Sequence, residues 1–448
     1  MTNRTKAIFQ KRGSARHFLF SKTDTGRVKD VKRKKAVGVN ELLRSVFPDL
    51  LFGRDFIDHA MKRLESVSQF AALVIGVDQT RQEDENYSNP GALDEHVDVA
   101  AVIETICREE KGLWGALEPG LFGGFFPSKN ESEGLDTARH IQKLLAEKSI
   151  QTVTIGIASY PIITFEKYDM IDNARKALDH AAFFGPGSAV AFDGVSLNIS
   201  GDKLYENGDL QGAIDEFKRA LLIDPSNVNV HNSLGVCYGL LGDYEPAIKE
   251  FETVISMDSG EHMALFNLGL VHGLRKESEK ALEFFLNADK INNKVYETAF
   301  QIGKLYFESG DLATAKPFLE RAAKLDPASG GVYRYLGDCY AADNLQQDAV
   351  SAYKKAIRHN PQDAASISAL ACLFDDQGEN PEITLMFCRE SVGLSPENGL
   401  FRYRLGRMYS KMNRFEDALE QLKKAEEFGY DADRDIQEIK TRLAVKSS

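Results

Sequence analysis

The chain is poor in the residues that most often advertise chemistry. Its 448 residues include only five cysteines, Cys107, Cys237, Cys339, Cys372 and Cys388, an odd number, widely spaced and without a CxxC pair. That pattern argues against disulfides and cysteine metal ligands. It fits a reducing compartment, with the cysteines acting as small structural hydrophobes. Long apolar runs are missing as well. The longest, Phe70 to Val77, has the length of a buried strand, far short of the roughly 20 residues a membrane-spanning helix needs. The first residues lack the apolar core of a signal peptide, so a cytoplasmic location is expected. No HExxH, GK[ST] or GxSxG motif occurs, and His59, His96, His140 and His180 keep no ligand spacing. Neither a metal nor a cofactor is therefore expected. The single tryptophan, Trp114, is expected to pack in a sheet.

Charge is unevenly placed. Residues 1–39 carry twelve Lys or Arg against only Asp24 and Asp30, a charge of +10, so the whole-chain −12 leaves −22 on residues 40–448. A like-charged block with little apolar content cannot bury enough surface to fold alone. Residues 1–39 are expected to form a flexible basic tail that lies against the acidic body. The alternative is contact with an anionic membrane surface or nucleic acid. The acidic remainder argues against nucleic acid as the main partner. Length alone suggests two or three domains.

The most informative feature is a period. Gly201, Gly235, Gly269, Gly303 and Gly337 lie 34 residues apart, Ala371 continues the spacing, and Gly406 follows one residue late. Twelve residues after the glycines come Ala213, Ala247, Ala281, Ala315, Ala349 and Ala418. Seven beyond these stand Ala220, Val254, Ala288, Ala322, Ala356 and Ala425. Small residues let paired helices approach closely, while Tyr238, Phe251, Phe285, Tyr306, Tyr340, Tyr353 and Tyr409 fill the space between turns. A fixed period of this length marks a helix–turn–helix array. The pattern resembles the tetratricopeptide repeat over about seven units. It implies an all-α solenoid across residues 194–431. The charged amphipathic stretch 432–448, with Ile436, Ile439 and Leu443 inward, is expected to cap the last unit.

Residues 40–193 lack the beat and alternate helical with strand patterns in the order αβαββαβαβ, which suggests an α/β sheet of four or five strands. Strands are expected at Phe70 to Val77, Thr152 to Ala158 and Ala189 to Phe192, with a hairpin around Glu118-Pro119-Gly120. Several stretches resemble the GGDEF domain of diguanylate cyclases. They are Thr152-Val153-Thr154-Ile155-Gly156-Ile157-Ala158, Ala174 to Asp179, Gly185 with Ala189-Val190-Ala191-Phe192, and more loosely Pro48 to Phe56. The resemblance implies a palm-like α/β fold. Its chemistry, however, needs carboxylates to hold two metal ions. Gly76 stands at the first acid's place, leaving only Asp78. The hairpin motif falls on Glu118-Pro119-Gly120-Leu121-Phe122 or, shifted, on Gly123-Gly124-Phe125-Phe126. Ala182 replaces the phosphate lysine, and no RxxD precedes the hairpin. The resemblance therefore implies a degenerate domain without cyclase activity. The polar run Asp78, Arg81, Asp84 and Glu85 is read either as a residual nucleotide pocket or as a solvated loop.

By the repeat family's pattern, the first helix of each unit faces an inner groove. The expected lining is Asn229, Asn232, Val236, Leu240, Met263, Phe266, Leu270, Phe300 and Phe307. Arg334, Asp338, Ser368, Asp375, Asp376, Tyr403, Arg407 and Lys411 follow in the later units. The groove thus reads as apolar first and charged later, and Phe266, Leu270 and Phe300 are expected to form a partly exposed anchor. The competing reading makes several of them inter-helix core. Asn232, Val236 and Met263 stand where a carboxylate clamp needs polar groups, so an EEVD-type tail is a poor candidate. The function expected is a non-catalytic scaffold in bacterial signalling or complex assembly that holds partner segments in the groove. The alternative is a nucleotide or cyclic-dinucleotide sensor.

Overall fold

The computed structural model describes residues 37–78, 90–148, 151–162 and 165–447. The basic tail up to residue 36 and Arg81, Asp84 and Glu85 lie outside them. Packing divides the chain into two compact units, one ending at Asn267 and one beginning at Leu268.

The first unit opens with helices α1 (Val37–Val46) and α2 (Gly53–Arg63), separated at Pro48 as the sequence suggests. A five-stranded sheet follows, built from β1 (Phe70–Val77), β2 (Leu113–Glu118), β3 (Leu121–Pro127), β4 (Val153–Tyr160) and β5 (Ala189–Ala191). Helices α3 (Pro90–Glu109), α4 (Glu131–Glu147) and α5 (Asp169–Ala181) connect the strands. The sheet order is β2-β3-β1-β4-β5. β1 runs antiparallel to both β3 and β4, and β4 pairs parallel with β5. A central strand covered on both faces must be apolar throughout, which is why Phe70 to Val77 is a continuous run rather than an alternating one. The β2–β3 turn falls at Pro119-Gly120. This corrects the shifted alignment of the hairpin: Gly123 and Gly124 lie inside β3, opposite Val74 and Leu73. Gly156 in β4 is there for close approach, since a Cβ on it would sit 2.0 Å from the Ala174 carbonyl oxygen of α5.

Two apolar layers cover the sheet. One contains Val99, Ile103, Ile106, Phe122, Phe126, Ile141 and Leu145, and Trp114 packs against it with its ring 5.3 Å from Phe47. The other contains Phe56, Phe70, Phe125, Met170 and Ile171 and continues without a break into Leu197, Phe217, Val230 and Leu234 of the helices that follow. Asp193 caps the first of these helices, accepting from Ser196 N–H at 2.8 Å. Lys176 of α5 pairs with Glu216 at 2.8 Å, and Lys203 pairs with Asp179 of α5 at 2.7 Å. The change of architecture therefore comes at 193/194, whereas the core carries on past it.

From Gly194 the chain is helical pairs. The pairs are α6 and α7 (Gly194–Glu206, Leu210–Ile223), α8 and α9 (Val228–Leu241, Tyr244–Met257), α10 and α11 (His262–Leu274, Ser278–Ile291), and α12 and α13 (Tyr296–Glu308, Leu312–Leu325). Three more follow: α14 and α15 (Gly330–Ala342, Gln346–His359), α16 and α17 (Ala364–Asp376, Pro381–Leu394), and α18 and α19 (Gly399–Lys411, Phe415–Glu427). The units divide within α10. Each glycine of the 34-residue beat lies under the large side chain sixteen residues on. A Cβ on Gly201 would meet Phe217 at 2.4 Å, and one on Gly235 would meet Phe251 at 2.7 Å. The same holds for Gly269 and Phe285 at 2.6 Å, Gly303 and Leu319 at 2.8 Å, Gly337 and Tyr353 at 2.5 Å, and Gly406 and Leu422 at 2.8 Å. The missing Cβ is what seats the second helix on the first.

The turn inside each pair has its own beat. Gly208, Gly242, Lys276, Gly310, Asn344, Gly378 and Asn413 all take positive φ there, the left-handed conformation that closes a helix and is least costly for Gly and Asn. In the sixth pair the turn spans 377–380, four residues where the fifth and seventh pairs have three, and this delays Gly406. Helix α20 (Asp433–Ser447) buries Ile436 and Ile439 against the last pair, as a cap should. No described helix is long and apolar enough to cross a membrane.

Candidate functional site

The end of the sheet where the acids were expected to be missing is filled with hydrocarbon. Gly76 pairs with Leu121 across β1 and β3. A Cβ at Gly76 would touch Leu178 of α5 at 3.6 Å and Leu121 at 3.7 Å. Leu121 itself is buried. Asp78 has both carboxylate oxygens engaged: one accepts from Thr154 Oγ1 at 2.6 Å and the other from Gly187 N–H at 2.9 Å. It ties the ends of β1 and β4 to the turn before β5. At the hairpin Glu118 pairs with Arg175 at 2.5 Å. These contacts tie the ends of the strands and the turn before β5 together.

The repeat residues part company in the structure. Within the first unit Asn229 is exposed, and Leu240 and Met263 are half-buried. Val236 and Phe266, however, are each only 1% exposed, and Asn232 is buried and accepts a 3.1 Å hydrogen bond from the Asn267 amide. In the second unit Leu270 is buried too. This corrects the expected anchor: Phe266 and Leu270 are core. Helix α10, with the sequence HMALFNLGLVHGL, is apolar around its whole circumference. Every residue from Ala264 to His272 is buried, as expected of a helix that is apolar on most sides, so a groove-facing register does not leave these side chains in solvent.

Accessible aromatics gather instead in the second unit. Phe300 and Phe307 of α12 are half-buried and meet Tyr335 of α14, with ring centroids at 5.8 and 5.1 Å. Tyr296 stacks on Phe300 at 6.0 Å, and the Arg334 guanidinium lies 4.8 Å over Tyr335. Tyr296 and Tyr335 escaped the sequence reading. The signal was available, since Tyr296, Phe300 and Phe307 recur at helical spacing on one face.

Beyond this hollow the surface is polar. Asp338 accepts from Tyr353 Oη at 2.6 Å, and burial raises its pKa above the usual carboxylate range. Arg404 donates to Ser368 at 2.9 Å, Lys411 pairs with Asp375 at 2.6 Å, and Tyr403 donates to Asp435 at 3.2 Å. A pocket of about 430 Å³ opens between α16, α18 and α20, lined by Asp375, Arg407, Lys411, Asp435, Glu438 and Arg442 among others. The cysteines offer no reactive thiol: burial pushes Cys237 up to about 12 and Cys339 up to about 11.

The family model described as the cilia and flagella-associated protein 70 C-terminal domain matches residues 171–440. No curated protein matches the sequence. Solved structures similar to parts of the chain include MamA, 27% identical over 37% of this chain and 96% of that one, with a TM-score of 0.33. Another is PilF of Pseudomonas aeruginosa, 18% identical over 49% and 97%, with a TM-score of 0.44. A third is YrrB, described as a tetratricopeptide-repeat protein with an unusual peptide-binding site. It is 16% identical over 41% and 95%, with a TM-score of 0.37.

Proposed function

Because the chain belongs, through residues 171–440, to the family described as the cilia and flagella-associated protein 70 C-terminal domain, we propose that it is a non-catalytic scaffold that holds an extended segment of another protein on its repeat helices. From the family the proposal takes the tetratricopeptide array alone. The observation that carries it is the hollow of Phe300, Phe307 and Tyr335, with Tyr296 and Arg334 at its rim. Three large aromatic groups left half-covered between neighbouring first helices are surface that a partner's apolar side chain can bury. Within the first unit, Asn229, Leu240 and Met263 are the accessible members of the proposed lining, and Asn232, Val236 and Phe266 are buried.

Residues 40–193 are read as a degenerate GGDEF-like domain in a bacterial signalling or assembly protein, with the basic tail as a contact for anionic surfaces. The strand order, with β1 central between β3 and β4, and the leucines around Gly76 favour that reading without turnover. The nucleotide-sensor alternative rests on Asp78, Arg81, Asp84 and Glu85. Of these, Asp78 is already committed to Thr154 and Gly187.

Selection of a displayed random-peptide library on the full-length protein tests the scaffold reading. Enriched peptides should share an apolar or aromatic residue, and Phe307→Ala should weaken them about tenfold, the loss expected when one buried side-chain contact of 1.5 kcal/mol or so disappears. Failure to enrich any peptide, or equal binding by the variant, overturns it.

A further inference from the structure

The pocket between α16, α18 and α20 has an uneven charge arrangement. Three cations and three carboxylates line it, and most are paired: Lys411 with Asp375 at 2.6 Å, and Arg442 with Glu438 at 2.6 Å. The third carboxylate, Asp435, accepts the hydroxyl of Tyr403. Among the described residues that leaves Arg407 as the lining cation with no carboxylate partner. Its guanidinium lies 6.0 Å from the centre of the Tyr403 ring, and its side chain is exposed. A planar fork of donors held against an aromatic ring at the mouth of a pocket suits one incoming carboxylate.

The pocket and the aromatic hollow belong to one row of helices. The first helices of successive pairs touch, α12 with α14, α14 with α16, and α16 with α18. Tyr335 on α14 and Arg407 on α18 are therefore two helix steps apart, roughly 20 Å at ~10 Å per step. About six residues of extended chain span that distance.

We infer that the partner segment carries an acidic side chain, Asp or Glu, about six residues from its apolar anchor, and that Arg407 binds it in this pocket and sets specificity. The inference rests on the peptide-binding reading above. Charge complementarity selects the occupant. A neutral segment leaves Arg407 unmatched, and a basic one sets a like charge against it.

The test uses synthetic twelve-residue peptides, amidated at the C-terminus so that a chain-end carboxylate plays no part. Each carries one fixed Phe and a Glu placed four to nine residues away, and each is matched by a Gln peptide. Fluorescence anisotropy with the full-length protein should show the best Glu peptide binding about fivefold tighter than its Gln counterpart. Arg407→Gln should erase that difference while leaving the Gln peptide's affinity unchanged, and Phe307→Ala should weaken both peptides. Equal binding of Glu and Gln peptides that still depends on Phe307 overturns the acidic specificity and leaves the anchor standing. So does a Glu preference that persists in Arg407→Gln. Absence of binding by every peptide overturns the anchor and the acidic specificity together.

Discussion

At the scale of single residues, the array is governed by absent atoms. Gly235 has Phe251 where its Cβ would be, at 2.7 Å, and the ring is fully buried. Alanine there must displace the ring or the second helix. Overpacking of this kind costs about 1–3 kcal/mol, so Gly235→Ala should lower the unfolding free energy by that amount, read as a lower denaturant midpoint with an unchanged m-value. The sixth unit shows the relaxed alternative. Ala371 occupies the glycine's place, and with the longer turn its counterpart on the second helix is the small, buried Cys388 in place of a large ring. An unchanged midpoint for Gly235→Ala would mean the glycine series reflects something other than helix seating.

At the scale of elements, the pair α14 and α15 is joined by a buried polar contact as well as by apolar packing. Tyr353 of α15 donates to Asp338 of α14 at 2.6 Å. Burial raises the Asp338 pKa, and the hydrogen bond and the nearby Arg334 offset this only in part. The folded protein therefore holds the Asp338 proton more tightly than the unfolded chain, where an aspartate titrates near ~3.9. The stability this contributes is fully present below that value. It is lost as pH rises toward the folded pKa, because over that window the native state binds more protons. Asp338→Asn keeps an acceptor for Tyr353 but has no charge to bury. Its stability relative to the parent should rise as pH increases from about 4 and then level off. Thermal melts of both proteins across that range measure the difference. A gap between them that stays constant with pH would show that Asp338 does not titrate abnormally.

At the scale of the molecule, the sheet-bearing region and the first repeats share one core. Phe165 and Phe192 meet edge to face at 5.5 Å within the same cluster as Leu197, Phe217 and Val230. The three-layer region thus takes the role of an N-terminal cap, which a solenoid needs because its end repeats lack a neighbour. Removal of residues 1–193 should leave a helical protein, since each pair depends mainly on its neighbours. Its melting temperature should nevertheless fall by several degrees. Amide hydrogens of α6 and α7 should lose protection while those of α15 to α19 keep it. Unaltered protection in α6 and α7 would remove the sheet region from that capping role.

Local rules made much of this protein legible from sequence. The 34-residue beat placed seven helix pairs, because one interaction, a missing Cβ under a large side chain, repeats at fixed spacing. The all-apolar run Phe70 to Val77 marked a central strand, and Pro119-Gly120 marked a hairpin turn. Exposure was not local. Phe266 and Phe300 occupy similar places in neighbouring repeats, yet Phe266 is 1% exposed and Phe300 remains partly open. The position within a repeat sets the direction of a side chain, while burial depends on what the adjoining helices bring against it. The partner of each charge was undetermined for the same reason. Lys411 finds Asp375, 36 residues away, and Tyr403 finds Asp435 on the cap. Only the packed helices decide that Arg407 is left without an acid among the described residues.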